Sequence, residues 1–300
     1  MEMKMITIGH ASYDITFPVE TFPKENTKTR LTKHIDCGGG PASNAAYLLA
    51  LWHQSVSFAG VVGKDFYGKI IQKELETVGV DTTYLECYED AQTMLSFIMA
   101  NTSNGSRTIL TAQQEYKRQL KEIPQEEYDV ILVDGEEPSV SAKVLQNNPQ
   151  AIKVIDAGSV KEGTLVLCPL VDYLVCSKNF AEESTGITYD GTIESLITMH
   201  TILTEKYQNI VVITLEAAGC FTKIDQTYKI IPSISVKAVD TTGAGDIFHG
   251  AFTYFISHNY SLEETCRLAN IAGALSTLKI GGRYSMPTLD EVINYVDVLR

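Results

Sequence analysis

Seven consecutive residues, Asp240-Thr-Thr-Gly-Ala-Gly-Asp246, hold the densest chemical signal in the chain. Strand-like IIPSISVKAV (230–239) precedes them, and an amphipathic helix starts at them, with Ile247, Phe248, Ala251, Phe252 and Phe255 on one face. Small residues at 243–245 let successive backbone N–H groups approach an anion with no Cβ in the way, and a helix N-terminus adds positive potential there. Asp246 falls in the first turn, where a carboxylate is expected to stay ionised. That makes it a weak base, yet phosphoryl transfer asks little of its base, because the transition state is loose and the nucleophile's proton leaves late. The spacing predicts a cradle for a transferring phosphoryl group, built from Gly243, Ala244 and Gly245, beside an acceptor for a hydroxyl proton, Asp246. A bare G-x-G-D would be read as a tight turn with a capping Asp; the full run in a strand–turn–helix setting points to chemistry. His249 lies one turn on, on the same face, and is expected to be a packed or solvent-facing histidine.

The elements that must hold such a cradle are legible around it. MITIG (5–9), VSFAGVV (56–62), DVILVD (129–134), IKVID (152–156), DYLVC (172–176) and NIVVITL (209–215) are continuous apolar runs, as strands covered by helices on both faces require. Helical stretches alternate with them: 41–53 entered through Pro41, 66–78 between Asp65 and Gly79, 192–207, and one opened by the capping box Ser261-Leu-Glu-Glu264. Such alternation predicts an α/β fold with a mainly parallel sheet. Two segments break it. Residues 16–33 are polar with Pro18 and Pro23, and MLSFIMA and SRTILT form a hairpin across Asn101 to Gly105. A hairpin fits poorly in a parallel sheet and is expected to project as a small flap, with 16–33 supplying a further strand.

Composition bounds the rest. The 300 residues carry 24 Lys plus Arg against 37 Asp plus Glu, a net charge of -13 that argues against a nucleic-acid or acidic-membrane partner. No run is apolar enough for a signal peptide or a membrane span, and the six scattered cysteines read as buried thiols of a cytoplasmic protein. Histidines and cysteines show no metal-site spacing.

With these residues in view, the chain resembles the pfkB, or ribokinase-like, sugar kinases. Asp240 to Phe248 is similar to their C-terminal signature D-T-x-G-A-G-D-x-F, and Gly38-Gly-Gly-Pro-Ala-Ser-Asn44-Ala-Ala resembles their N-terminal one, with Gly60 and the Val62 to Gly68 run at matching distances. The resemblance covers essentially the whole chain. It implies a three-layer α/β/α sandwich with a small β lid, here one domain over 1–300 with the lid from about 12–33 and 92–111, and a homodimer formed through the lid. It also implies an ATP- and Mg²⁺-dependent kinase in which Asp246 is the base and Gly243, Ala244 and Gly245 the anion hole. On the sugar, Asp14 matches the carboxylate that grips hydroxyls, and Gly39, Gly40 and Asn44 match the sugar-binding turn. Asn179 and Glu182 resemble the N-x-x-E motif that holds Mg²⁺ against phosphates. Thr214 and Gly219 resemble the nucleotide loop T-x-G-x-x-G, and Asn270 an Asn near the nucleotide; Glu216 departs from the pattern, standing where the first loop Gly is usual. By the same similarity Asp240, Ser276, Gly281 and Ser285 would shape a K⁺ site.

The turn Gly-Gly-Pro-Ala-x-Asn is more similar to fructokinase-, ketohexokinase- and sulfofructose-kinase-like members than to ribokinase, whose turn usually carries Lys there. Lys28 and Arg107 are the lid cations available to an anionic sugar. The acidic pair Glu136-Glu137 after the third strand run would repel one, so a neutral ketose or related sugar is expected. Three alternatives remain open: a nucleoside kinase using Tyr13, Phe17 and Phe22 as a base slot, a phospho- or sulfosugar kinase of the same family, and a non-catalytic sugar-binding protein, for which Glu216 speaks.

Overall fold

The computed structural model describes residues 3–112 and 118–298. Its strands are β1 (Lys4–Ile8), β2 (Ser12–Val19), β3 (Ile35–Gly39), β4 (Ser55–Gly63), β5 (Leu85–Tyr88), β6 (Leu95–Asn101), β7 (Arg107–Ala112), β8 (Val130–Val133), β9 (Ile152–Ala157), β10 (Tyr173–Ser177), β11 (Ile210–Thr214), β12 (Cys220–Ile224) and β13 (Thr227–Ile231). Its helices are α1 (Pro41–Leu51), α2 (Phe66–Val78), α3 (Pro138–Asn147), α4 (Glu162–Leu167), α5 (Lys178–Thr185), α6 (Ile193–Tyr207), α7 (Ala244–Ser257), α8 (Leu262–Ser276) and α9 (Leu289–Val298).

The large sheet runs β13-β12-β11-β10-β9-β8-β1-β4-β5, parallel from β5 to β11 and closed by the antiparallel β12–β13 hairpin. Successive side chains of each inner strand enter different cores. Ile131 and Val133 of β8 face α3, α4 and α6, whereas Val130 and Leu132 face α1 and α2; Val211 and Ile213 of β11 alternate likewise with Val212, which meets α7 and α8. Both faces need apolar side chains, so the strands read as unbroken hydrophobic runs. This is the ribokinase-like α/β fold expected, a mostly parallel sheet between two helical layers.

Helix boundaries follow from capping. The Asp65 carboxylate accepts from Gly68 N at 2.8 Å, Ser261 Oγ accepts from Glu264 N at 3.2 Å, and α2 ends on Gly79 at φ 103°.

A second sheet of four strands, β3-β2-β6-β7, stands apart. Its hairpin β6–β7 is where the sequence places it, but the remaining strands differ from expectation. β2 occupies 12–19, residues 20–34 form no regular element, and the edge strand is β3, built from the residues leading into the glycine turn. Two further readings are corrected, and two short strands are added. The stretch 230–239 is not a strand beyond Ile231, because the partner strand β12 begins at Cys220 and Pro232 has no N–H to extend the ladder. The strands β5 and β12 are short and had no distinct pattern. Cys87 is exposed, unlike the other five cysteines, which are buried; all six are free thiols. Among the described residues no helix is long and apolar enough to cross a membrane.

Candidate active site

The chain leaves β1, passes outward through β4 and β5, then returns to β8 on the other side of β1. A crevice opens outside the carboxyl ends of the strands at such a reversal. Asp134, just past β8, organises it. Its Oδ2 accepts from His10 N at 2.8 Å and Ala42 N at 3.1 Å, and its Oδ1 from Glu136 N at 2.9 Å. A Cβ on Gly9 would lie 2.0 Å from that carboxylate. One buried acid thus joins the end of β1, the start of α1 and the end of β8. The sequence analysis missed it; the available signal was an acidic residue ending a buried parallel strand.

The sugar-turn residues converge on this crevice. Asp14 on β2 is 7% exposed, and Ser12 Oγ donates to its Oδ1 at 2.9 Å. Burial pushes its carboxyl above the usual range, partly offset by the Ser12 and Ser96 hydroxyls. A Cβ on Gly39 would come within 2.1 Å of Asp14 Oδ2, and one on Gly40, at φ 95°, within 2.5 Å of His10 O. Both glycines are therefore demanded by close approach.

From α1, Asn44 Nδ2 donates to Asp246 Oδ2 at 2.7 Å, joining the two signatures. Gly243 caps α7 at φ 75°, and Gly245 and Asp246 contribute first-turn N–H groups that have no acceptor within the helix. A Cβ on Gly245 would meet nothing within 4 Å, which marks the open side of the cradle. Asp246 differs from expectation in one respect. Burial, and then the Asp156 charge, push its pKa up to about 7, against the Asn44 hydrogen bond and His249, which lower it. Desolvation outweighs the helix N-terminus. Of the two environments open to His249, the structure has the buried one: Nδ1 lies 2.6 Å from Gly245 O and 3.1 Å from Asp156 Oδ2, and Nε2 lies 3.1 Å from Val175 O.

Among the lid cations, Lys28 is exposed on the irregular 20–34 segment. Arg107 Nη1 donates to Thr241 Oγ1 at 2.6 Å, and that hydroxyl donates to Gly105 O at 2.9 Å. The β6–β7 turn thereby rests on the segment that precedes the cradle, which places Arg107 beside the signature loop. The acidic pair after β8 is compensated. Glu137 Oε2 accepts from Leu120 N at 2.9 Å, and Glu136 lies 3.1 Å from Lys161 Nζ. Burial disfavours the Lys161 ammonium, but Asp134 and Glu136 outweigh it and hold its pKa above the usual value. The expected repulsion of an anionic sugar by this pair is weaker than bare charges would give.

The nucleotide candidates have local partners. Thr214 Oγ1 donates to Cys176 O at 3.3 Å, and Asn270 Nδ2 to Ile231 O at 2.9 Å. Gly219, at φ 101°, is required because a Cβ would lie 2.1 Å from Ile231 O. Glu216 takes the positive φ of 55° that suits a glycine, and its side chain, 80% exposed, points outward to within 3.8 Å of Lys178 Nζ. Asn179 is exposed on the first turn of α5, and Glu182 one turn on accepts Tyr189 N at 2.7 Å through Oε1.

The base slot for a nucleoside does not form. Tyr13 and Phe17 lie on the face of β2 opposite Asp14; the Tyr13 hydroxyl donates to Asp36 and its ring packs on Tyr67 at 5.0 Å, while Phe17 meets His34 and Phe22 is exposed. Of the K⁺ candidates, Asp240 is closed by Thr242 N, Thr242 Oγ1 and Gly281 N, while the Ser276 and Ser285 hydroxyls donate to Gly273 O and Gly282 O.

Comparison with known proteins agrees with this geometry. Residues 3–289 match the family model described as pfkB family carbohydrate kinase. A ribokinase of Lactococcus lactis is 29% identical over 298 residues, covering 96% of this chain and 95% of the relative. A solved structure from Agrobacterium tumefaciens, provisionally named a ribokinase, is 28% identical with a TM-score of 0.86, covering 100% of this chain and 99% of that one. Arabidopsis thaliana ribokinase, determined in complex with ribose and ATP, shares the fold at a TM-score of 0.81 and 22% identity over 98% of each chain. These relatives carry the ribokinase name, so the leaning toward the fructokinase-like branch is not what they support. A glycine run at a helix N-terminus, a buried carboxylate hydrogen-bonded to Asn44 of the first signature, and a family match over nearly the whole chain lead to one conclusion: the protein belongs to the pfkB family of carbohydrate kinases and is a phosphotransferase.

Proposed function

We propose that the protein transfers the γ-phosphoryl group of ATP to a hydroxyl of a small neutral sugar, with Asp246 as base and Gly243, Ala244 and Gly245 as the cradle. The observation that carries this reading is the 2.7 Å hydrogen bond from Asn44 to Asp246. It sets the residue proposed to orient the sugar against the residue proposed to take its proton. The sugar lies in the recess lined by Gly9, His10, Val61, Met94 and Glu136, gripped by Asp14 and backed by Gly39 and Gly40. The four-stranded sheet covers it as a lid, with Arg107 at the edge of the cradle. Asp246 accepts the hydroxyl proton as the oxygen attacks, and the N–H groups at the start of α7 receive the charge on the transferring group.

Asn179 and Glu182, one turn apart on α5, offer the hard oxygen donors that suit Mg²⁺ held through water and phosphate oxygens. When bound, the ion would neutralise phosphate charge. The nucleotide lies along Thr214, Gly219 and Asn270, with Glu216 turned away. The K⁺ candidates are engaged in closing their own loop.

Ribose leads the candidates, because full-length relatives at 25–29% identity are named ribokinases. A ketose is the second reading, favoured by Pro41 in the sugar turn. The outward face of the lid sheet, with Phe97 37% and Leu110 60% exposed, is the surface on which a second copy would pair.

ADP release from MgATP tests the reading across ribose, deoxyribose, fructose, fructose 6-phosphate, sulfofructose and nucleosides. Turnover on one neutral sugar is expected. Turnover restricted to anionic sugars overturns the substrate class, and silence with every sugar and nucleotide overturns the kinase reading for this chain.

A further inference from the structure

We propose that Arg283 is a positioning residue for the base: it fixes which end of the Asn44 amide faces Asp246. The inference rests on the reading of Asp246 as the base. Arg283 is 4% exposed and sits at the end of the loop after α8, far in sequence from everything it touches. Nη1 donates to Glu74 Oε2 of α2 at 2.6 Å, Nη2 to Ser43 Oγ at 2.5 Å, and Nε to Asn44 Oδ1 at 3.4 Å. The guanidinium also lies 5.1 Å from the Tyr47 ring centroid. Glu74 is held in turn by Gly38 N at 2.9 Å, and a Cβ on Gly38 would come within 2.2 Å of Arg283 Nη1. β3 therefore passes directly over the guanidinium, which explains the first glycine of the turn.

The argument is one of hydrogen-bond polarity. A guanidinium only donates and a carboxylate only accepts, whereas an Asn amide has one end of each kind. With Arg283 on one side, the Asn44 oxygen turns to Nε and its NH₂ group is left facing Asp246. Donation to the charged form stabilises the carboxylate. Without Arg283 the Asn44 oxygen loses its anchor, and the amide's donation to Asp246 is loosened and weakened.

The other groups acting on Asp246 have known signs. Asp156 from β9 and Asp14 from β2 raise its pKa, whereas His249 from the next turn of α7 and Asn44 from α1 lower it. A weaker Asn44 donation diminishes one of the lowering influences, so the base titrates at higher pH. A purely structural Arg283 would lower activity at every pH alike.

The test is the pH profile of kcat/KM for the best sugar in wild type, Arg283→Lys and Asp246→Asn. Lys at 283 keeps the charge opposite Glu74 but has no second donor placed for the Asn44 oxygen. We expect the acid limb of Arg283→Lys to move up by about one pH unit, with activity about tenfold down at pH 6.5 and recovering toward wild type at pH 9. An unmoved acid limb overturns the proposal, whatever the loss in kcat. If Arg283→Lys does not fold, wild type decides: the ¹⁵N shift of the Asn44 side-chain amide must titrate with the midpoint of the activity profile, and a flat shift overturns the proposal. Asp246→Asn separates the two readings. If it retains turnover, the base assignment has failed; if turnover is lost while the Arg283→Lys limb stays in place, only the positioning role has failed.

Discussion

The two ends of the site are built differently. At the end proposed for the sugar, side chains from β2, α1, α7 and the loop after α8 are aimed at one another: Asn44 at Asp246, Arg283 at Asn44, Gly39 against Asp14. At the end proposed for the nucleotide, Thr214, Asn270 and Glu182 are bonded to backbone groups of their own surroundings, and Glu216 points to solvent. One end is a network of side chains in fixed geometry, and the other is a backbone surface with side chains as its props. Networks of the first kind are sensitive to single atoms. A backbone surface keeps its shape while side chains on it vary, which is how a Glu can occupy a position where the family usually has Gly.

That contrast can be broken by substitution. The largest effect is expected for Asp246→Asn, which should lower kcat by about 10³-fold or more with little change in either KM, measured by steady-state ADP release. An effect on sugar KM alone would move Asp246 from chemistry to binding. Next, Asp14→Asn should raise the sugar KM about 100-fold, from loss of charge-assisted bonds to two hydroxyls, and Gly39→Ala should match it by driving a Cβ into the same carboxylate. If Gly39→Ala is tolerated, the turn is looser than drawn. A smaller effect concerns pH. With the Asp246 pKa at about 7, kcat/KM should fall below neutrality toward tenfold per unit. Asp156→Asn removes a charge that raises that pKa, so the acid limb should shift downward by about one unit. The smallest is expected for Glu216→Gly at the other end, with the ATP KM changing by less than about threefold, because the side chain points to solvent. A tenfold change would show that Glu216 reaches the nucleotide after all.

Much of this was legible in the sequence, and what was not has a common physical reason. The buried parallel strands announced themselves because both of their faces are covered, and the cradle did so because only small residues let a backbone approach an anion. Asp246 stood out in the sequence as a candidate, but its raised pKa did not: the helix N-terminus is visible in the chain, whereas burial and Asp156 are supplied by the fold. Asp134, Asp156, Glu74 and Arg283 act through partners far along the chain, so they fall outside both signatures, and of them Asp134 carries a local signal, an acid that ends a buried strand. Residues 230–239 misled because β-branched residues predict a strand only where a partner strand exists, and β12, opposite Ile231, begins at Cys220. The supposed base slot failed on alternation, since Tyr13 and Phe17 must face away from Asp14 on the same strand.

The bonds that close the site span long stretches of chain. Asn44 to Asp246 bridges 202 residues, Arg283 to Asn44 bridges 239, and Arg283 to Ser43 bridges 240. Loop-closure entropy makes such contacts late events on a folding pathway. On refolding from denaturant, helical signal is therefore expected to return before phosphotransfer does, and the interval between them measures how long the chain stays native-like without its site.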